Sequence, residues 1–548
     1  MTSVRSVVWC VGAVAAALLA AVPGTVRAQE PVLDQGLYRL FQGPAEVGRE
    51  TFRRTAGALE TSMMMPLLGL RMTTRTDYDS GGHVARYHLD AFSFGADTLL
   101  VTYEAAVTGD SIRFSQVRRA GADRERHWTR AAGPQDAFNS ARSVASLMGL
   151  VGRAERRDTT FHAWSVEQDS AIDVAVRFHG DSATVASGAF DMPASLNPGG
   201  QVTAAEIALS RVRIERWGGG DTLAPLPGMN RPAPDYSAPP GAPYTAEEVR
   251  VPVQPATGDT FSLGGTLTIP KAGRAPYPAA VMITGSGLED RDENLWPLVT
   301  GYRPFRQIAE RLAQAGIAVL RVDDRSFGAS GGDASRGTTA DFAGDCEAQV
   351  LWLRARPDIA PDKIALIGHS EGGVIAPIVA AHDTRVAAIV LMAGTAKNGV
   401  QVLIDQSVGP IERAEGLSPD RKASLEEQAR RAVVGDSTPA SPWMRWFRSY
   451  DPLTTARRVT QPTLILQGAV DRQVSAGQAD TLAEAMRAGN KDVTERVFPH
   501  LNHLFLFSPT DGSTTEYPAL KDTAISREVL DQIADWLAPR LRPARRGH

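Results

Sequence analysis

Cysteine is nearly missing from this chain: there are two in 548 residues. Cys10 falls in an apolar N-terminal stretch and Cys346 stands alone in the remainder, so the chain without that stretch cannot close an intrachain disulfide. Long apolar runs are missing beyond residues 7–22, which leaves no second candidate for a membrane-spanning helix. A basic surplus is missing too. With 58 Lys and Arg against 62 Asp and Glu, the chain has no electrostatic footprint for nucleic acid. His83, His88, His127, His162 and His179 lack the close spacing to other ligands that a metal site needs. No internal repeat appears at the period of a propeller blade.

What is present begins with Arg5, the apolar residues 7–22, Pro23-Gly24 and Val26-Arg27-Ala28. These are the charged, apolar and small-residue regions of a secretory signal, with cleavage expected after Ala28. The apolar run is shorter than the ~20 residues that cross a bilayer. The expectation is export to the periplasm or beyond, with no stable membrane insertion after cleavage. A hydrophobic content of 43% and this length suit a globular protein of two or three domains.

Residues 30–216 read as a β-rich domain. Ile172, Val174, Val176 and Phe178 alternate with Asp173, Ala175 and Arg177, the period of a half-buried strand. Further strands are expected over 69–78, 84–94, 98–107, 112–117, 184–188 and 205–217, in an antiparallel, curved or barrel-like sheet. A helix is expected between 135 and 151, where Phe138, Ala141, Val144, Leu147 and Met148 recur at helical spacing. Met63, Met64 and Met65 read as core filling. Gly218-Gly-Gly220 and a run of prolines mark a linker over 217–245. From 246 to 541 the pattern changes to strands near 247–253, 261–269, 279–284, 317–323, 363–368, 386–392, 463–467 and 493–498. Helices fall near 303–315, 339–355, 371–382, 475–488 and 524–538. Such alternation implies an α/β fold, doubly wound around a mostly parallel sheet.

Within it, Gly368-His369-Ser370-Glu371-Gly372 sits between an apolar strand and a helix, the setting of a nucleophile elbow. The second Gly-x-Ser-x-Gly, around Ser330, lies in a Gly/Ser/Asp-rich loop and reads as loop. Serine needs an imidazole to accept its proton and a carboxylate to orient that imidazole, in the chain order Ser, acid, His. Asp471 follows an apolar strand by a short turn and fits the acid. Beyond the last strand are His500 and His503; His503, deeper in the loop, is preferred as the base. His369 and His382 precede the acid and read as structural. Oxyanion donors are expected from the N–H of Glu371 and from Ser286 or Gly287 in the loop after residue 283.

The motifs Gly285-Ser-Gly, Asp290-Arg-Asp, Asp323-Asp-Arg325, Gly368-His-Ser-Glu-Gly-Gly373, Gly468 with Asp471, and Asn502-His503-Leu-Phe occur in one order. In them the chain from about 246 to 540 resembles bacterial α/β-hydrolase esterases of the EstD type. The resemblance implies a triad of Ser370, Asp471 and His503. Where that family commonly places Gly after Asp-x-Arg, this chain has Ser326.

Residues 396–458 occupy the place of a helical cap. There Ser441 and Pro442 signal a helix start, and Trp443, Trp446, Phe447 and Tyr450 share one face that either roofs an acyl pocket or fastens the cap. The reading is an exported serine esterase acting on a small-molecule ester, with no metal or organic cofactor and no nucleic-acid partner. The alternatives are a peptidase of the prolyl oligopeptidase type, a thioesterase or acyltransferase, and a non-catalytic binding protein that uses the β-rich domain.

Overall fold

The computed structural model describes residues 30–65, 70–93, 99–118, 124–139, 143–166, 170–187, 190–207, 211–218, 234–296, 298–435 and 442–542. The expected signal at 1–28, most of the linker and Ser441 lie outside them.

The N-terminal part is β1 (Asp34–Gln42), β2 (Ala45–Arg54), β3 (Ala58–Met65), β4 (Leu70–Tyr78), β5 (Val84–Ser93), β6 (Leu99–Thr108), β7 (Ser111–Arg118), β8 (Arg124–Ala131), β9 (Ala137–Asn139), helix α1 (Val144–Arg153), β10 (Thr159–Ser165), β11 (Ser170–His179), β12 (Ser182–Ser187), β13 (Phe190–Leu196), β14 (Val202–Ile207) and β15 (Val212–Trp217). They form one sheet in the order β8-β7-β6-β5-β4-β3-β2-β1-β15-β14-β13-β12-β11-β10-β9. Neighbours pair antiparallel except β9 and β10, which run parallel. A sheet of this width twists and closes on itself rather than lying flat. Here β2, β12 and β14, from both halves, touch α1, so the sheet curls around that helix. Val144, Leu147, Met148, Leu150 and Val151 fill its hollow together with Tyr87, Phe114, Phe138 and Trp164.

Glu50 on β2 is 0% exposed. Its carboxylate accepts Ser143 Oγ at 2.6 Å and the N–H groups of Val144 and Ala145 at 2.7 and 2.8 Å. The first turn of a helix leaves such N–H groups without partners, and Ser143 makes no cap hydrogen bond of its own. A strand carboxylate therefore caps α1 from outside it.

Two sequence expectations change here. Residues 205–217 form two strands, β14 and β15, paired as a hairpin in which Arg211 takes φ 49°. The expected helix from 135 begins only at Val144, because Ala137 and Phe138 are buried in β9 at the sheet edge and Phe138 stacks on Tyr87 at 5.2 Å. Met63 and Met64 are buried, as core residues.

The C-terminal part is built on β16 (Tyr244–Val253), β17 (Phe261–Pro270), β18 (Tyr277–Ile283), β19 (Ala318–Val322), β20 (Ile359–His369), β21 (Ala388–Met392), β22 (Thr463–Gly468) and β23 (Val493–Phe498). Their order is β16-β17-β19-β18-β20-β21-β22-β23. The first two pairings are antiparallel and the rest parallel, which is the α/β-hydrolase fold. Helices α2 (Pro304–Gln314), α3 (Thr339–Arg354), α4 (Gly372–His382), α5 (Gly399–Arg413), α6 (Pro419–Gly435), α7 (Pro442–Ser449), α8 (Pro452–Ala456), α9 (Gly477–Arg487) and α10 (Arg527–Leu541) complete it.

The strands read as unbroken apolar runs because both faces are covered. Val281, Ile364 and Leu366 pack with α3, α4 and α9 on one face, while Met282, Ala365 and Ile367 pack with α2 and α10 on the other. Cys346 is buried in α3, with its thiol raised above its ordinary range by burial. The cap region 396–458 contains α5 to α8.

Candidate active site

Three strand ends carry the site. At the end of β20 the chain turns at Ser370 with φ 52°, in the left-handed region that a side chain enters only at a cost. Ser370 N–H is held by Met392 O at 2.8 Å. The turn needs its glycines: a Cβ on Gly368 would lie 2.0 Å from Gly372 O, and one on Gly372 would lie 2.2 Å from Ile283 O.

After β22, Asp471 is 2% exposed. Its Oδ1 accepts the N–H groups of Gln473 and Val474 at 2.8 and 2.9 Å, and Oδ2 accepts Gln467 Nε2 at 2.8 Å. Oδ2 also faces His503 Nδ1 at 2.8 Å. His503, 4% exposed, lies in the loop after β23. Asn502 fixes that loop by accepting the N–H groups of Leu504 and Leu506 at 3.0 and 3.2 Å and by donating to Glu516 at 3.0 Å. His500, in contrast, is exposed at φ 61° beside Phe507.

The loop after β18 approaches the elbow closely, since a Cβ on Gly285 would sit 3.4 Å from both Ser370 Cβ and Glu293 Oε1. Gly285 N–H is already taken by the carboxylates of Glu289 and Glu293, at 3.1 and 3.2 Å. The N–H groups of Ser286, Gly287 and Glu371 have no acceptor among the described residues. The loop is anchored from beneath. Buried Arg291 is bidentate to Asp323, at 3.1 and 2.9 Å, and also donates to Glu248 and Thr266. Asp292 pairs with buried Arg321. Arg325 grips Asp345 at 2.9 and 2.7 Å. Buried pairs of this kind fix a geometry more than they add stability.

Ser326 follows at φ 67°. It takes the conformation glycine would take, helped by Oγ, which donates to Gly332 O at 3.0 Å and accepts Ala334 N–H at 2.7 Å. Ser330 is a loop residue whose Oγ donates to Asp323 O at 2.6 Å and accepts Gly264 N–H at 2.9 Å.

Three acidic groups around the site are displaced upward. Desolvation, with Glu293 nearby, holds Glu289 well above the usual carboxylate range. Desolvation also holds Asp324 well above it, against donors from Thr284 and Glu289 N–H. Glu371 is raised by burial and opposed by hydrogen bonds from Thr339, Trp443 and Ser286. Trp443 Nε1 donates to Glu371 Oε1 at 2.7 Å and Thr339 Oγ1 donates to the same oxygen at 2.6 Å, so the cap is tied to the residue after Ser370.

The four cap aromatics divide into two stacks. Trp443 lies on Phe447 at 5.0 Å, beside Glu371, whereas Trp446 lies on Tyr450 at 4.1 Å and both pack onto the core. His382 is exposed near Glu347. His369 is buried between Glu293 and the backbone of His503. Sequence reading passed over Glu293, Gln467 and the side chain of Glu371; only the adjacency of Glu293 to Asp290-Arg-Asp pointed to it.

Residues 300–510 match the family model described as serine aminopeptidase, S33. Among curated proteins, the chain is 29% identical over 283 residues to esterase EstD of Thermotoga maritima, covering 50% of this chain and 65% of that protein. It is also 29% identical over 268 residues to dipeptidyl aminopeptidase BIII of Pseudoxanthomonas mexicana, covering 46% of this chain and 35% of that one. The chain thus spans about two thirds of the first relative's length and about a third of the second's. An esterase structure from Pyrococcus furiosus is matched at 18% identity and TM-score 0.37, over 56% of this chain and 96% of that one. With the sheet order and elbow described above, the C-terminal half of the chain has the α/β-hydrolase fold and resembles bacterial esterases of the EstD type.

Proposed function

We propose that the protein is an exported serine hydrolase that cleaves small-molecule carboxylic esters through an acyl-enzyme. The observation that carries this reading is the buried Asp471–His503 pair, at 2.8 Å, on strand ends adjoining the strained elbow of Ser370. Ser370 Oγ attacks the ester carbonyl while His503 Nε2 takes its proton. Asp471 holds the ring through Nδ1 and stabilises the imidazolium. The N–H of Glu371 and that of Ser286 or Gly287 receive the oxyanion. His503 returns the proton to the departing alcohol, and water then releases the acid by the same steps in reverse. Trp443 and Phe447 wall the acyl pocket, and Trp446 and Tyr450 fasten the cap.

The amide bond of a peptide is the second substrate class, favoured by the similarity to a dipeptidyl aminopeptidase. The N-terminal strands form one continuous sheet rather than separate blades, which speaks against the propeller of prolyl oligopeptidases. The test is hydrolysis of p-nitrophenyl esters of graded chain length, with a proline-blocked aminoacyl amide alongside, by the protein and its Ser370→Ala variant. Ester cleavage that falls by about 10⁶ in kcat in the variant supports the reading. Amide cleavage without ester cleavage replaces it with the peptidase, and neither moves it to binding. Export is tested by N-terminal sequencing of the mature protein, expected to start at Gln29.

A further inference from the structure

His369, immediately before Ser370, is buried with both ring nitrogens engaged. Nδ1 lies 2.6 Å from Glu293 Oε1, and Nε2 lies 2.9 Å from the backbone oxygen of His503. A neutral imidazole has one N–H and one lone pair. A carbonyl oxygen cannot donate, so the proton between Nε2 and His503 O must sit on Nε2. The carboxylate contact needs a second proton. Between an ordinary imidazole and an ordinary carboxyl, that proton belongs on the ring. The Gly285 N–H on the same Oε1 favours the anionic carboxylate further. We propose that His369 is a positioning residue that works as an imidazolium: it donates Nδ1–H to Glu293 and Nε2–H to the carbonyl of His503, and so fixes the loop that carries the catalytic base. The proposal rests on the reading of His503 as that base.

The surroundings agree. Burial pulls His369 down, but Glu293, the His503 carbonyl and Asp471 together hold it above its ordinary 6.5. The charged and titratable groups around the pair are Glu289 and Glu293 from the loop after β18, Asp324 beyond β19, Asp471 beyond β22, His503 beyond β23 and Tyr302 before α2. Tyr302 Oη donates to Leu504 O at 3.0 Å, so successive carbonyls of the base loop are both held. The rings of His369 and His503 lie 4.9 Å apart. Three non-glycine residues joined by this arrangement, Glu293, Ser370 and Phe505, take φ of 57°, 52° and 56°. Strain of that kind persists where surrounding contacts over-determine it.

The charge state is tested directly by ¹⁵N NMR of the histidine-labelled full chain, with His369 assigned by its disappearance in His369→Gln. The expectation is that both ring nitrogens are protonated at neutral pH. A lone-pair nitrogen on His369 at neutral pH overturns the proposal, and this measurement needs no variant to be active.

The positioning role is read from kinetics on p-nitrophenyl butyrate. Glu293→Gln removes the counter-charge: with the amide oxygen toward His369 the neutral ring has one proton for two acceptors, and with the NH₂ turned there it meets the Gly285 N–H, so either way one contact is lost. Glu293→Gln and His369→Gln should each lower kcat about 10²-fold, the cost of a small misplacement of a catalytic group, with KM little changed. The double variant should lose no more than either single one. Wild-type kcat in both single variants overturns the role. Full activity in His503→Ala would instead overturn the assignment of the base, and the NMR result would still decide the charge on His369.

Discussion

The two halves of the molecule each bury a carboxylate on or beside a strand and surround it with donors, to different ends. Glu50 accepts one hydroxyl and two helix N–H groups, all within the N-terminal sheet and its helix. Asp471 accepts two backbone N–H groups and an amide, and shares its remaining capacity with an imidazole. Burial and donor number are alike, so neither marks a functional acid. The partner does: a group that can exchange a proton turns a structural anchor into an orienting charge.

The comparison is broken most strongly at Asp471. Asp471→Asn keeps the shape but offers His503 Nδ1 a different partner, and kcat on p-nitrophenyl esters should fall about 10⁴-fold with the melting temperature nearly unchanged. A loss of stability with kcat of the folded protein unchanged would put Asp471 in the same class as Glu50.

At Glu50 the effects should be reversed. Glu50→Gln leaves one acceptor oxygen where there were two and removes the charge at the helix N-terminus, and should cost about 1–3 kcal/mol of stability, measured by urea denaturation, while kcat of the remaining folded protein is unchanged. The wild type should also show a pH signature. Burial lifts Glu50 above its ordinary 4.5, against the donors of Ser143, Ala145 and Val144. As pH rises past 4.5, the unfolded chain releases this proton before the folded one does. The contribution is therefore fully present below 4.5 and is lost as pH climbs through the raised value. Glu50→Gln should remove that slope, and an unaltered slope would assign it elsewhere.

The smallest effect sharpens the division within the cap. Trp443→Ala should shift the preferred acyl length several-fold in kcat/KM, because Trp443 and Phe447 stand beside Glu371. Trp446→Ala should instead lower stability with the preference kept, since Trp446 and Tyr450 pack onto the core. The opposite pattern would exchange the roles of the two stacks.

How legible these regions were follows from what their strands bury. In the C-terminal sheet both faces are covered by helices, so Ile364 to Ile367 and Thr463 to Leu466 read as continuous apolar runs; the second starts where β22 starts, whereas β20 begins earlier, at Ile359, ahead of the polar Asp362 and Lys363. In the first N-terminal strands the core face carries Glu50, Thr61, Thr74 and Thr76, and Thr61 and Thr74 bond to each other across it at 2.9 Å. Polar residues on the inner face blur the period-two signal in β2 and β3, which went unread. Turn chemistry was a better guide to Ser370, whose glycines have backbone where a Cβ would stand. Ser326 shows the limit of such rules, since its hydroxyl bonds let a non-glycine residue take a left-handed turn. The role of His369 was illegible because both of its partners are distant in sequence and it acts through its bonds to them.

The central claim is that Ser370 is the nucleophile of a working triad. Reaction of the full chain with a fluorophosphonate, followed by peptide mapping, tests it most directly. The account predicts a single adduct on Ser370, lost in Ser370→Ala and strongly slowed in His503→Ala. An adduct on Ser330, or no adduct in protein that hydrolyses esters, would contradict it.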